Sequence, residues 1–105
     1  MSAVEVRNAS EKNRFEIDLG DGSLAIAEYT LPEGKIMFTH TEVPPEHGGQ
    51  GLGTRLIEAG LAWAREQGRK VIPICPFFAA YMQRHAEVQD LLDDSWRRKF
   101  GLDAD

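Results

Sequence analysis

The chain has 105 residues, 42% hydrophobic and 28% charged, which suits one compact core and is too short for two. Its formal charge of -5 has the wrong sign for non-specific binding to nucleic acid, and no apolar run approaches the roughly 18 residues of a membrane span. Cys75 is the one cysteine, which excludes an intramolecular disulfide and any multi-cysteine metal cluster, and the start from Met1 to Arg7 lacks a secretory pattern, so a soluble, cytoplasmic domain without metal is expected.

A short strand is predicted over Val4 to Asn8. Arg14 to Leu19 alternates Phe15, Ile17 and Leu19 with polar residues, and Ser23 to Thr30 alternates through Leu24, Ile26 and Tyr29, so both read as half-buried strands. Gly20-Asp21-Gly22 between them tolerates positive φ and predicts an antiparallel hairpin. After the turn Leu31-Pro32-Glu33-Gly34, a strand is expected over Lys35 to Val43, with Ile36 and Phe38 inward. Unbroken alternation carries His40 and Glu42 onto that same face, with Met37, Thr39, Thr41 and Val43 on the other.

Pro44-Pro45 breaks the strand, and the apolar stripe of Leu52, Leu56, Ala59, Gly60 and Trp63 predicts a helix over Leu52 to Gln67, ended by Gly68. Lys70 to Cys75 has strand length, although Pro73 argues against regular pairing, and Pro76 opens a helix through His85. Strand, helix, strand over 35 to 75 requires a crossover and hence a parallel pair. The expected fold class is therefore α/β (α+β): a mixed sheet with antiparallel N-terminal strands, a parallel β-α-β unit and one or two C-terminal helices. Asp93 to Asp105 is either a terminal helix or a loosely attached tail.

The chemistry concentrates between Val43 and Leu52, where a strand ends and a helix begins. Free N–H groups and the positive helix end make an anion site there, and Gly48, Gly49, Gly51 and Gly53 let backbone approach a ligand closely. Thr54 and Arg55 add a hydroxyl and a charge. The P-loop pattern fails because Gly53 is followed by Thr54-Arg55, and the dinucleotide fingerprint fails at Thr54.

Gly48-Gly49-Gln50-Gly51-Leu52-Gly53 instead resembles the diphosphate signature Q/R-x-x-G-x-G/A of the GNAT superfamily, with Gly48 where that signature has Gln or Arg. With His40-Thr41-Glu42-Val43-Pro44-Pro45, Pro73-Ile74-Cys75-Pro76-Phe77 and Tyr81 to His85, the chain resembles the small stand-alone GNAT-like N-acetyltransferases over residues 14 to 92. The resemblance implies a single N-acetyltransferase-like domain over 1–105 with residues 93–105 as a tail. It also implies acetyl-coenzyme A as co-substrate and an amine acceptor, either a small molecule or a protein amino group. The strands 35–43 and 70–75 are then expected to splay, with the pantetheine arm between them near His40, Glu42 and Cys75, and with Thr41, Val43, Gly48, Gly49, Gln50, Gly51, Leu52, Gly53, Thr54 and Arg55 around the cofactor.

Direct transfer needs a base, a polarised carbonyl and a proton for the departing thiolate. Glu42 or His40 is the candidate base, N–H groups near Thr41 to Val43 the polarising donors, and Tyr81 the candidate acid. In a covalent variant Cys75, activated by His40, carries the acetyl group first. The plainer readings make Cys75 a small buried hydrophobe, His40 a strand histidine, Glu42 a solvated strand-end residue, His47 and His85 structural, and Arg97, Arg98 and Lys99 a solvated tail. A coenzyme A-binding regulatory module without turnover and a ligand-free interaction domain are the alternative functions.

Overall fold

In the computed structural model, residues 5 to 102 are described. They run β1 (Arg7–Ala9), β2 (Arg14–Asp18), β3 (Leu24–Thr30), β4 (Lys35–Glu42), α1 (Leu52–Gln67), β5 (Lys70–Pro73), α2 (Pro76–Arg84) and α3 (Asp94–Lys99), with 3₁₀ segments at Ser10–Lys12, Pro45–His47 and Ala86–Leu91. The strands form one sheet in the order β1-β2-β3-β4-β5, antiparallel from β1 to β4 and parallel between β4 and β5. This is the mixed architecture expected of the sequence. The N-terminal strand lies at Arg7–Ala9 instead of Val4 to Asn8, and Val4 falls outside the described residues.

One sheet face meets α1 and α2. Phe15, Ile17, Ala25, Ala27, Tyr29, Ile36 and Phe38 point into it, all buried. Along β3 this corrects the expectation: Ala25 and Ala27 face the core, while Leu24 and Ile26 lie half-buried on the other face. The pairing explains the choice, because Ala27 lies opposite Phe15 and Tyr29 opposite Phe38. The small alanines leave room for the rings that Tyr29 gathers, with Phe15 at 5.4 Å, Trp63 at 5.4 Å and Phe38 at 6.2 Å between centroids. The Tyr29 hydroxyl keeps its hydrogen bond by donating to Asn8 Oδ1 at 2.7 Å.

The helix α1 follows its amphipathic pattern, burying Leu52, Leu56, Ile57, Gly60, Leu61 and Ala64, and Gly68 at φ 68° closes it by donating to the Ala64 and Arg65 carbonyls. Phe38 stacks on Phe78 of α2 at 4.1 Å and 9°. The segment after Asp93 is a docked helix: Trp96, Phe100 and Leu102 pack on the core, and Asp93 caps α3 by accepting from the Ser95 N–H. Asp93 also accepts from Lys35 Nζ at 2.5 Å, and its own N–H donates to the Val71 carbonyl, which ties α3 to the β5 edge. Arg97 donates to the Gln89 carbonyl, while Arg98 and Lys99 stay exposed, Lys99 lying 4.2 Å above the Trp96 ring of its own helix.

Candidate functional site

Two irregularities shape the site, and both come from local chemistry. The parallel ladder between β4 and β5 stops at Phe38 opposite Pro73. Pro73 and Pro76 have no N–H to offer, and the Ile74 N–H turns back to the Ile72 carbonyl at 3.1 Å. A last tie, Cys75 N–H to the Phe38 carbonyl at 2.9 Å, closes the pairing. The strand β4 continues for four more residues, Thr39 to Glu42, bonded to β3 and with no strand on its other edge among the described residues. The outer edge of β4 beyond Phe38 is therefore left without a partner strand on the side where β5 ends.

The second irregularity is a bulge. Glu28 pairs with His40 and Tyr29 with Phe38, so Thr39 is an extra residue, its hydroxyl donating to the Glu28 carbonyl at 3.3 Å. One inserted residue reverses the alternation beyond it. Thr41, opposite buried Ala27, takes the core side, while His40 and Glu42 turn to the opposite face beside Glu28 and Ile26. This corrects the expectation that His40 and Glu42 continue the Ile36 face. Both are exposed, and His40 Nε2 lies 3.3 Å from Glu42 Oε1. Cys75, 5% exposed, has Thr41 as its side-chain neighbour, Oγ1 to Sγ 3.3 Å.

Beyond Val43, a 3₁₀ turn at Pro45–His47 leads into the glycine turn. Gly49 at φ 81° and Gly51 at φ 74° occupy the left-handed region that other residues avoid. Gly51 is the N-cap of α1 and carries no side-chain cap. The first helical bond runs from Arg55 N–H to the Gly51 carbonyl at 3.1 Å, which leaves the N–H groups of Leu52, Gly53 and Thr54 ahead of it without helical acceptors. A cavity of about 240 Å³ lies against this end. Val43, Gly48, Gly49, Gly51, Leu52, Gly53 and Thr54 line it, and so do His47 and Phe77.

Three expected cofactor residues stand elsewhere. Gln50 lines a larger cavity of about 720 Å³ on the β2 side of the turn, Thr41 sits beside Cys75, and the exposed Arg55 points out from the first turn of α1. Tyr81 is one helical turn beyond Phe77 and lines a third cavity, about 400 Å³, with Glu58, Arg65 and Glu87. Its ring stacks on His85 at 3.9 Å, and burial, with the charges of Glu58 and Glu87, raises the pKa of its phenol. His85 Nδ1 lies 2.8 Å from the Tyr81 carbonyl.

Phe77 and His47 are the residues to which the sequence motifs assign no role in the site. Phe77 lies over Gly53 so closely that a methyl group there would meet its ring. His47 Nε2 lies 2.9 Å from Asp21 Oδ2 in the β2–β3 turn, and the carboxylate raises the pKa of the imidazole. Asp21 is held well below the usual carboxylate range, first by the Ser23 hydroxyl and then by His47. The pairing of Ile26 with Glu42 shows why they meet: the hairpin turn and the glycine turn lie at the same end of the sheet.

The family model described as GCN5-related N-acetyl-transferase matches residues 14–91. The chain belongs to the GCN5-related N-acetyltransferase family. Its structure is similar to the solution structure of a GCN5-like N-acetyltransferase from Staphylococcus aureus, with a TM-score of 0.69 and 33% identity over 89% of this chain and 91% of that one. It is also 38% identical over 47 residues to N-acetyltransferase 8B of Homo sapiens, a stretch covering 45% of this chain and 21% of that protein, so the match spans about a fifth of the human protein's length. The end of the β4–β5 ladder and the glycine turn fall within the matched span. Among the described residues no helix is long and apolar enough to cross a membrane, and no cluster of three or more His, Cys, Asp or Glu side chains is placed to hold a metal.

Proposed function

We propose that this chain is an N-acetyltransferase that moves an acetyl group from acetyl-coenzyme A to an amine. The observation that carries the reading is the uncapped, glycine-lined start of α1, which follows in the chain the end of β4 left unpaired by β5. Diphosphate charge is favoured at such a helix start, and a free strand edge suits the amide-bearing pantetheine arm, leading toward Thr41 and Cys75. Phe77, 45% exposed beside the glycine turn, offers an apolar wall to the cofactor.

In direct transfer the amine nitrogen forms a bond to the thioester carbonyl carbon, the carbon–sulfur bond breaks, and coenzyme A leaves as the thiolate or thiol. The amine proton passes to the His40–Glu42 pair, which lies on the sheet face opposite α1, so the acceptor approaches from that side. The free N–H groups of the β4 edge polarise the carbonyl. Tyr81 lines a separate cavity, and no step is assigned to it. A second reading rests on the contact between Cys75 and Thr41: the cysteine sulfur takes the acetyl group as an enzyme thioester, releasing coenzyme A, and the amine then displaces the cysteine.

Release of free thiol from acetyl-coenzyme A with a panel of primary amines and lysine peptides tests the activity. Binding without thiol release for any acceptor would leave a coenzyme A-binding module, and no heat of binding in titration calorimetry would leave neither. Intact-mass measurement before amine is added distinguishes the routes: an acetyl adduct lost in Cys75→Ala supports the covalent one, and full turnover by Cys75→Ala supports the direct one.

A further inference from the structure

Gly48 is unlike the glycines that follow it. Its φ of -65° and ψ of 152° are open to any residue, so conformation does not explain a glycine where the diphosphate signature has Gln or Arg. The turn thus lacks one polar side chain, and Arg55 is exposed outside the cavity. The ring of His47, the preceding residue, lines this cavity and also the larger one on the β2 side, and stands as the wall between them. It is mostly buried, with 19% of its side chain exposed, and is fixed from two directions. Asp21 holds Nε2 from the hairpin, and the backbone of His47 runs directly into Gly48 and the glycine turn.

Asp21 is in turn fixed by the Ser23 hydroxyl at 2.5 Å and the Ser23 N–H at 3.1 Å. The chain Ser23, Asp21, His47 therefore connects the β2–β3 hairpin to the entry of the turn that opens α1. We propose that His47, clamped by Asp21, is a positioning residue for the cofactor diphosphate: it sets the glycine turn against α1 and presents at the cavity the positive side chain that Gly48 does not supply. This rests on the proposed use of acetyl-coenzyme A.

The charged groups facing His47 are Asp21 from the hairpin, Glu46 from its own turn and, around the larger cavity, Glu5, Asp18 and the paired Arg7 and Glu16. The Asp21 hydrogen bond raises the imidazole pKa above its ordinary 6.5, while partial burial opposes the shift. The sign follows. Protonated His47 favours a bound dianion, so affinity is full on the acid side and falls as pH rises through the His47 titration; bound diphosphate shifts that titration further upward.

Calorimetry with acetyl-coenzyme A between about pH 6 and about pH 9 tests this, alongside His47→Gln, Asp21→Asn and the double variant. His47→Gln should bind about tenfold more weakly at the acid end, the size of one charge-assisted hydrogen bond, and should lose the pH dependence. Asp21→Asn should move the pH profile to lower pH, and the double variant should be no weaker than His47→Gln. Gly48→Arg on the His47→Gln background should restore affinity by supplying the missing positive side chain, provided the Pro45 carbonyl, 3.2 Å from the new Cβ, gives way. Thermal melts establish that each variant is folded. If wild type binds and His47→Gln binds equally with the same pH profile, the role of His47 is wrong and the cofactor reading stands. If wild type binds at no pH, both fall.

Discussion

Two glycines of α1 sit against phenylalanine rings, and substituting each by alanine should have opposite consequences. At Gly60 a methyl group would stand 2.8 Å from Phe38 Cζ and 2.9 Å from Cε1. Phe38 is 0% exposed and stacked at 4.1 Å on Phe78, itself 0% exposed, so neither ring can retreat. Overpacking of this kind costs about 1–3 kcal/mol, offset by roughly 1 kcal/mol of improved helix propensity. Gly60→Ala should therefore lose up to about 2 kcal/mol, a fall in Tm of up to about 15 °C for a domain of this size. At Gly53 the methyl would meet Phe77, but that ring is 45% exposed and can swing aside. Gly53→Ala should hold stability within about 0.5 kcal/mol of wild type, while the displaced ring reshapes the cavity and weakens acetyl-coenzyme A about tenfold, or 1.4 kcal/mol. Urea titration gives the stabilities and calorimetry the affinity. A gain in stability for Gly60→Ala, or a larger loss for Gly53→Ala than for Gly60→Ala, would refute the packing argument.

The acid limb of stability should depend on Asp93. Lys35 and the Ser95 hydroxyl lower its pKa from 3.8 to about 2, so its contribution is complete above roughly pH 4 and is lost as pH falls through about 2. Asp93→Asn should flatten that part of the urea-midpoint profile, and Asp93→Ala, which also removes the cap of α3, should cost about 1–2 kcal/mol at neutral pH. Arg65 grips Asp90 through two nitrogens at 2.9 and 3.0 Å and is half exposed, so Arg65→Ala should cost no more than about 1 kcal/mol, and less in high salt. A larger loss would mean that the Ala86–Leu91 segment depends on this pair for its docking.

The sequence reveals most where side-chain period alone decides structure. Phe15 and Ile17, the stripe from Leu52 to Trp63, Gly68 at a helix end and the crossover from 35 to 75 are local signals, and the fold follows them. Alternation misleads wherever pairing overrides it. Along β3 the inward positions go to two alanines because rings on neighbouring strands need the space, a fact about Phe15, Phe38 and Trp63 that no window around Ile26 contains. Along β4 one bulged residue, Thr39, turns His40 and Glu42 away from the core. The glycine turn is readable as an anion site from its composition, but the contact of His47 with Asp21 depends on two turns meeting at one sheet end, 26 residues apart in the chain.

These departures are not scattered. Pro73 and Pro76 stop a ladder that would otherwise seal the sheet; Thr39 breaks the pleat one residue past the last paired position of β4; Gly51 starts a sixteen-residue helix without a side-chain cap. Each is locally unfavourable, by a lost ladder bond, a disrupted pair or an unsatisfied donor. All three lie on the segments between Phe38 and Pro76, at the end of β4, the start of α1 and the end of β5. Sequences settle strain where function demands it, and a chain that could have closed this sheet with ordinary residues leaves it open at one place. The gap is accordingly the part of the fold least explained by stability, and it is the part the proposed use of acetyl-coenzyme A would fill.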